Sequence, residues 1–598
     1  MIPIHFGITG HRDIAPEDIP QAKSKLHSLI SEYKTLCPNS EFRMLSLLAE
    51  GADSLAADVA MECGVALIAV SPMPLSEYEK DFADTASLKR FREYWNTAED
   101  RIELPLKSTE NGLVDRNAMY AAGGAFIAAH SQILIALWDG TDNGKPGGTA
   151  YVVKSKLAGD YSAWRYSSKY SSRITVPDSG PVFHIPVNRH SAVTDKTNQA
   201  INFKMTETSE GGITTIFPDS WFSIAQDVGR TDESLAGESP AAVSEKYISK
   251  VLSDIDSFNR DCGDTSITSG SIAKTEGNKL YPESEITSGQ KRLLLLYGYA
   301  DSMAIIFQKR YVKYLSRVAN YSFFAFALYG FFDQFCVGKP FHTVFYFLFW
   351  LAIVVAYFTF ETAKKSLCEE KYYGYRALAE AIRVQLSWII AGIPEVVSDH
   401  YLEKYTEKIP WLQIAVSNCS LKANNEILIP HNVALVKERW VDDQYRFFSK
   451  SKDRKGNEIA RAGHTSKWFV GIALFLFGIV GILGFSMLAD FDKFKELYTP
   501  VFGYKLKYYE LLVYGFTFCL AYAGKESFVT EKRAINDEMS QYQRMAQIFG
   551  RGKQALEKPD LGIENSKDIL RELGKEALAE NGDWLLYQRS KPLEMRWG

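Results

Sequence analysis

Residues Phe341–Phe360 read FHTVFYFLFWLAIVVAYFTF. The run is about 20 residues without a formal charge, the length at which a helix crosses the hydrocarbon layer of a bilayer. Three further apolar stretches share the second half of the chain. Val318–Phe332 precedes it, Trp468–Leu488 (WFVGIALFLFGIVGILGFSML) follows, and Leu511–Gly524 (LLVYGFTFCLAYAG) is shorter. Taken in pairs they predict two membrane hairpins. The competing reading is a set of core helices in a large soluble protein, which are usually shorter and interrupted by polar residues. For Leu511–Gly524 taken alone both readings stay open.

The rest of the composition is that of a soluble chain carrying an embedded membrane module. Mean hydropathy is −0.16 and the net charge is −4. No global basic field points to nucleic acid. The seven cysteines, Cys37, Cys63, Cys262, Cys336, Cys368, Cys419 and Cys519, show no CxxC spacing. They imply neither a disulfide framework nor a zinc site. The N-terminal MIPIHFGITGHRD has no basic segment followed by an apolar one, so it does not read as a signal peptide. The expectation is a cytoplasmic globular domain ahead of the membrane segments.

That first domain alternates short apolar runs with helical patterns. Ile4–Thr9, Phe42–Leu48, Val65–Val70, Ile133–Trp138 and Val182–Val187 read as strands, with Pro16–Tyr33, Asp53–Cys63 and Ala150–Lys156 as helices between or after them. The alternation predicts an α/β Rossmann-like parallel sheet covered on both faces. Ligands of such sheets bind beyond the carboxyl ends of the strands. Those ends hold Thr9, Gly10, His11 and Arg12; Glu50, Gly51, Ala52 and Asp53; Ser71; Asp139, then Gly147, Gly148 and Thr149; and Arg189. The residue types suit a phosphorylated ligand. Glycines let backbone amides approach an anion, and a following helix start adds its positive dipole end. Arg12 and Arg189 supply bidentate charge. Asp53 takes a ribose hydroxyl or caps the helix it opens.

The segments GITGHRDI, AEGADSLAADVA, VSPMPLSEYEKDF and LIALWDGTDNGKPGGTAYVV resemble the SLOG (LSDAT) superfamily over about residues 1–190. That superfamily includes cytokinin-activating LOG enzymes, DNA-processing proteins and ligand-sensing domains of bacterial antiviral effectors. The resemblance implies a Rossmann-like domain that binds nucleotides or nucleotide-derived signals. One departure matters. LOG-type hydrolases carry a glutamate shortly after their glycine loop, whereas here Gly147-Gly148-Thr149 runs into Ala150-Tyr151-Val152-Val153-Lys154. Glycosidic cleavage needs a positioned carboxylate. The reading therefore leans to binding over catalysis, with Glu50 the remaining acid at that mouth and no cofactor or metal site implied.

Residues 191–240 read as loops, either a lid or a solvated insertion. Pro240–Arg260 is helical, and Asp264–Gly277 (DTSITSGSIAKTEG) reads as a linker. The expected organisation is 1–190 nucleotide-binding, 191–277 insertion and linker, 278–460 helical stalk with the first hairpin, and 461–598 the second hairpin with C-terminal helices.

Lys309, Arg310, Lys313 and Arg317 lie before the first span and Lys364 and Lys365 after the second. The positive-inside bias places both ends of that hairpin in the cytoplasm. The second hairpin is less decided, because Lys493, Lys495, Lys505 and Lys507 fall in its loop. Gly478, Gly481 and Gly484 offer small positions for close helix approach. Each hairpin is followed by a helix of similar pattern, YRALAEAI from Tyr375 and YQRMAQIF from Tyr542. This layout resembles the SLATT family, membrane modules proposed to form pores in bacterial conflict systems. The final NGDWLLYQRSKPLEMRW docks on cytoplasmic helices or lies at the headgroups; the sequence does not choose.

The expected function is thus a multi-pass inner-membrane effector, homo-oligomeric, with both termini cytoplasmic. Its sensor domain takes a nucleotide-derived signal from a partner enzyme and triggers pore opening or membrane disruption in antiviral defence. A membrane-tethered LOG-type hydrolase and a non-lytic nucleotide-gated channel are the alternatives.

Overall fold

The computed structural model describes residues 1–82, 84–106, 115–164, 179–190, 199–209, 211–222, 238–336, 342–400, 409–425, 432–486, 498–501, 504–558 and 562–589. Its contacts divide the chain into two units. One comprises Met1–Tyr299 with Leu378–Asn432, the other Ala300–Ala377 with Val433–Gly598.

The first unit is built on β1 (Ile4–Gly10), β2 (Phe42–Ser46), β3 (Ala66–Ser71), β4 (Asp100–Glu103) and β5 (Ile133–Trp138). Then come β6 (Thr141–Asp142), β7 (Val182–Pro186), β8 (Gln199–Ala200), β9 (Thr206–Thr208) and β10 (Thr214–Ile216). Eight of these form one sheet in the order β4-β3-β2-β1-β5-β7-β10-β9, while β6 and β8 make a small pair of their own. The pairs from β4 through β7 are parallel, with Ile8 opposite Ile135 and Leu45 opposite Ile68. β10 is antiparallel to both β7 and β9. The sheet is therefore mixed, not wholly parallel, and part of the stretch expected as loops supplies its antiparallel edge.

The apolar runs form strands because both faces of the sheet are covered. All six residues of β5 are buried, ending on Trp138. Leu134, Ala136 and Trp138 join Phe126, Val152 and Val153 in one core. Leu134, Phe126, Val152 and Val153 each contribute about 1.5–3 kcal/mol on leaving water. The helix Ile19–Leu36 and the helix Ala52–Glu62 connect the first three strands, and Arg116–His130 leads into β5. Gly10 is required where β1 passes the next helix: a Cβ there would stand 2.4 Å from Ala52 Cβ and 2.4 Å from the Leu137 carbonyl.

Helix Pro240–Gly263 starts at Ser239, whose hydroxyl accepts from the Ala242 amide at 3.2 Å. The DTSITSGSIAKTEG stretch is not all linker. Gly270–Leu280 is a helix, with Ser269 Oγ accepting from Ile272 N–H at 3.3 Å. Its composition hides the helix because Ser and Gly read as turn formers while Ser269 acts as an N-cap.

Helix Ser288–Phe331 is continuous for 44 residues. Its first part lies in the first unit and its last part in the second. The second unit adds helices His342–Lys365, Asp443–Ser486, Tyr508–Lys532, Ile535–Leu556 and Ile563–Arg589. Two stretches, within His342–Ala391 and within Val433–Leu483, are long and apolar enough to cross a membrane, and only 6% of their most apolar parts is buried. They are therefore not core helices of this chain. Phe358, Phe475 and Phe485 point outward, the last 78% exposed. Contiguous apolar surface of this extent marks contact with lipid or protein.

The other two apolar segments pack against each other and against these through aromatic rings. Phe323 meets Phe518 at 5.1 Å and Tyr522 at 5.6 Å between centroids, Phe331 meets Phe345 at 4.8 Å, and Phe469 meets Tyr522 at 4.2 Å. Gly471, Gly478 and Gly481 face open space, so they mediate no helix approach among the described residues of this chain. Residues 191–198, 337–341 and 487–497 lie outside the described residues.

Candidate ligand site at the carboxyl ends of the strands

Strand β1 ends on Thr9 and Gly10, both half-buried. His11 follows and turns under β5. The Asp139 amide donates to His11 Nε2 at 3.1 Å, and Asp139 Oδ2 lies 3.2 Å from the same nitrogen. An imidazole accepting there carries its proton on Nδ1, which is buried without a partner. Burial, then the Arg189 charge, lowers the His11 pKa despite the two nearby aspartates. His11 is therefore a neutral ring at physiological pH.

Asp139 opens the turn after β5. It accepts from the Thr141 amide at 3.0 Å and the Thr141 hydroxyl at 2.7 Å. Burial opposes its charge, but those two bonds with His11 and Arg189 outweigh it and hold the carboxyl below its usual range. Arg189 reaches Asp139 at 3.7 Å and Asp13 at 3.4 Å. Its guanidinium thus already faces two carboxylates, and a bound anion competes with them.

Arg12 points the other way. Its guanidinium lies 5.0 Å from the centroid of the Tyr120 ring, a cation–π distance. The Tyr120 hydroxyl donates to Asp81, and Arg116 pairs with the same carboxylate. Glu50 sits beside them: Arg12, Glu50, Tyr78 and Asp81 line a crevice that has essentially no free volume. Tyr78 is buried and donates to the Leu47 carbonyl at 2.9 Å. A ligand entering here must lift Arg12 from Tyr120.

Gly51 takes φ +75°, and a Cβ on it would sit 2.4 Å from the carbonyls of His11 and Arg12. The Ala52 amide donates to the His11 carbonyl at 2.9 Å, which locks the two strand ends together. Asp53 is not an N-cap. Its Oδ2 accepts from Ala49 N–H at 3.2 Å, inside the loop that precedes the helix. Burial raises its pKa to about 7, against the pull of that amide and of Arg12. Ser71 is fully buried, and its hydroxyl donates to the Met73 carbonyl at 2.5 Å.

Gly147 has φ +76°, and a Cβ there would stand 2.6 Å from the Ala121 nitrogen. The glycine loop is thus pressed onto helix Arg116–His130. Gly148 is the N-cap of helix Thr149–Ala158, which carries no side-chain cap and no acidic residue.

The strand ends therefore hold two clusters. His11, Asp13, Asp139 and Arg189 form one; Arg12, Glu50, Tyr78, Asp81, Arg116 and Tyr120 form the other, with Asp53 close enough to Arg12 to feel its charge. Tyr78, Asp81, Arg116 and Tyr120 are not readable as site residues from strand-end positions. Only Tyr78 and Asp81 carried a signal, in VSPMPLSEYEKDF directly after β3. No group of metal-ligating side chains occurs among the described residues. No family model and no curated protein matches this chain.

Proposed function

We propose that this protein is a multi-pass membrane effector in which a SLOG-like sensor domain binds a nucleotide-derived signal and triggers opening of a SLATT-like pore. The observation that carries the reading is the joining of two things in one chain. One is a largely parallel sheet with cations and carboxylates gathered at its strand ends. The other is a pair of helices whose apolar side chains face outward. Helix Ser288–Phe331 runs without a break from the first to the second.

In this reading four spans form two hairpins, both termini are cytoplasmic, and several copies assemble the pore. Phosphates of the signal recruit Arg12 and the helix start at Thr149. A ligand binding the open state about 100-fold better biases opening by roughly 2.7 kcal/mol. Antiviral defence by membrane disruption is the role that the resemblance suggests.

A hydrolase reading draws on Asp53, whose carboxyl titrates near neutrality at this mouth. The two separate in one experiment. The full-length chain is purified in detergent, and its bound small molecules are released and identified by mass spectrometry. The sensor reading predicts an intact nucleotide-derived molecule, depleted in Arg12→Ala and Asp139→Asn. Release of free base on incubation, abolished in Asp53→Asn, supports the hydrolase. Nothing bound and nothing cleaved removes both.

A further inference from the structure

One cavity in the first unit lies away from the strand ends discussed above. It has a volume of about 930 Å³ and opens at the opposite, amino edge of the sheet. Phe42, Ala66 and Asp100, the first residues of β2, β3 and β4, form one side of it. Helix Ser288–Phe331, through Arg292 and Leu296, and helix Pro410–Asn425, through Leu421 and Lys422, form the other.

Its floor is apolar: Phe42, Ile102, Leu296 and Leu421 are buried. Its wall is charged. Glu99 accepts from Arg43 at 2.9 Å and from Arg292 at 3.1 Å, while Asp100 takes Lys422 at 2.5 Å. Arg43 is 14% exposed, and its buried Nε donates to nothing. A buried guanidinium N–H without an acceptor is costly, and an anion relieves it. At the rim, Lys34 donates to the Cys63 carbonyl at 2.6 Å and Arg101 to the Asn96 carbonyl at 2.8 Å. Neither has a carboxylate within ion-pair distance among the described residues, so their charge is left over. Five cations thus face three carboxylates, Glu41, Glu99 and Asp100, across this space.

We propose that this cavity is a second ligand site, for a soluble polyphosphate-bearing molecule of nucleotide size, separate from the crevice at the carboxyl ends. Phosphates lie against Arg43, Lys34 and Arg101, and the apolar body rests on Phe42, Ile102 and Leu296. The volume is within the range of small-molecule pockets. Because Arg292 shares Glu99 with Arg43, an anion that draws Arg43 away leaves Glu99 to Arg292 at the start of helix Ser288–Phe331.

The test is equilibrium binding of trinitrophenyl-ATP, a fluorescent probe, to the full-length chain in detergent. Lys34 and Arg101 are exposed, so the double variant Lys34→Glu, Arg101→Glu leaves the fold intact, with circular dichroism as the check. Saturable binding that is weakened roughly tenfold or more by the double variant and displaced by ATP supports the second site. Binding that the double variant leaves unchanged overturns it. So does the absence of saturable binding.

Discussion

The Arg376 guanidinium lies over the indole of Trp584, 4.7 Å from the ring centroid. Tyr372 and Tyr373 meet the same indole edge-on at 5.7 and 5.4 Å. These contacts pin helix Ile563–Arg589 to helix Cys368–Ala391. The aromatic, cationic end of the chain thus docks on protein as far as Tyr587, whose hydroxyl donates to Asp537, and 590–598 lies outside the described residues. Trp584 is 6% exposed, so Trp584→Ala costs about 3–5 kcal/mol by lost burial and cation–π contact. Thermal unfolding in detergent should show a clearly lower midpoint for Trp584→Ala and a smaller drop for Trp584→Phe.

Asp53 makes the first unit pH-sensitive. Its carboxyl titrates at about 7 when folded against an ordinary 3.8, because burial disfavours its charge. The folded state therefore holds the proton longer than the unfolded state. The associated stability is fully present below about pH 4 and is lost as the pH rises through 7. Asp53→Asn keeps an acceptor for the Ala49 amide and cannot ionise. It should be more stable than the parent at pH 8, by on the order of 4 kcal/mol, with the gap closing at pH 4.

The glycine loop offers a paired test. Gly147 and Gly144 both have positive φ, +76° and +67°, but only Gly147 is pressed against another backbone. Gly144→Ala should cost about 1 kcal/mol from its backbone angle alone. Gly147→Ala must also push the loop off helix Arg116–His130, so it should cost more and move Tyr120 away from Arg12. Urea unfolding of both variants checks the order.

Leu474 is 63% exposed on the third apolar segment. If lipid covers it, Leu474→Arg costs about 2.5–3.5 kcal/mol of insertion. Alkaline extraction of membranes should release the variant and retain the parent. Equal retention would mean that protein, and not acyl chain, covers this face.

How much of this was legible depends on burial. Strands β1, β2, β3, β5 and β7 are readable because a strand covered on both faces is a plain apolar run. β4, DRIE, buries only Ile102 fully, and β9 and β10, TET and TTI, are three residues each, so no periodicity reveals them. The sequence pattern reads as one long helix over Lys291–Arg317 leading into the apolar segment Val318–Phe332, and the structure shows a single helix, Ser288–Phe331, through both. At the candidate site, strand-end positions locate Arg12 and Asp139. They do not locate Tyr120 or Arg116, which arrive from a helix more than a hundred residues along. Nor do they show that Arg189 is committed to Asp13 and Asp139, since an ion pair across 176 positions leaves no local trace.

The most direct measurement is dye efflux from liposomes reconstituted with the full-length chain. The molecule that co-purifies with the protein is stripped and then added back. The account predicts tight vesicles without it, efflux on its addition, and no response in Arg12→Ala vesicles that carry the same amount of inserted protein. Vesicles that stay tight when the molecule is bound, or that leak equally without it, would contradict the claim that the sheet domain commands the membrane helices.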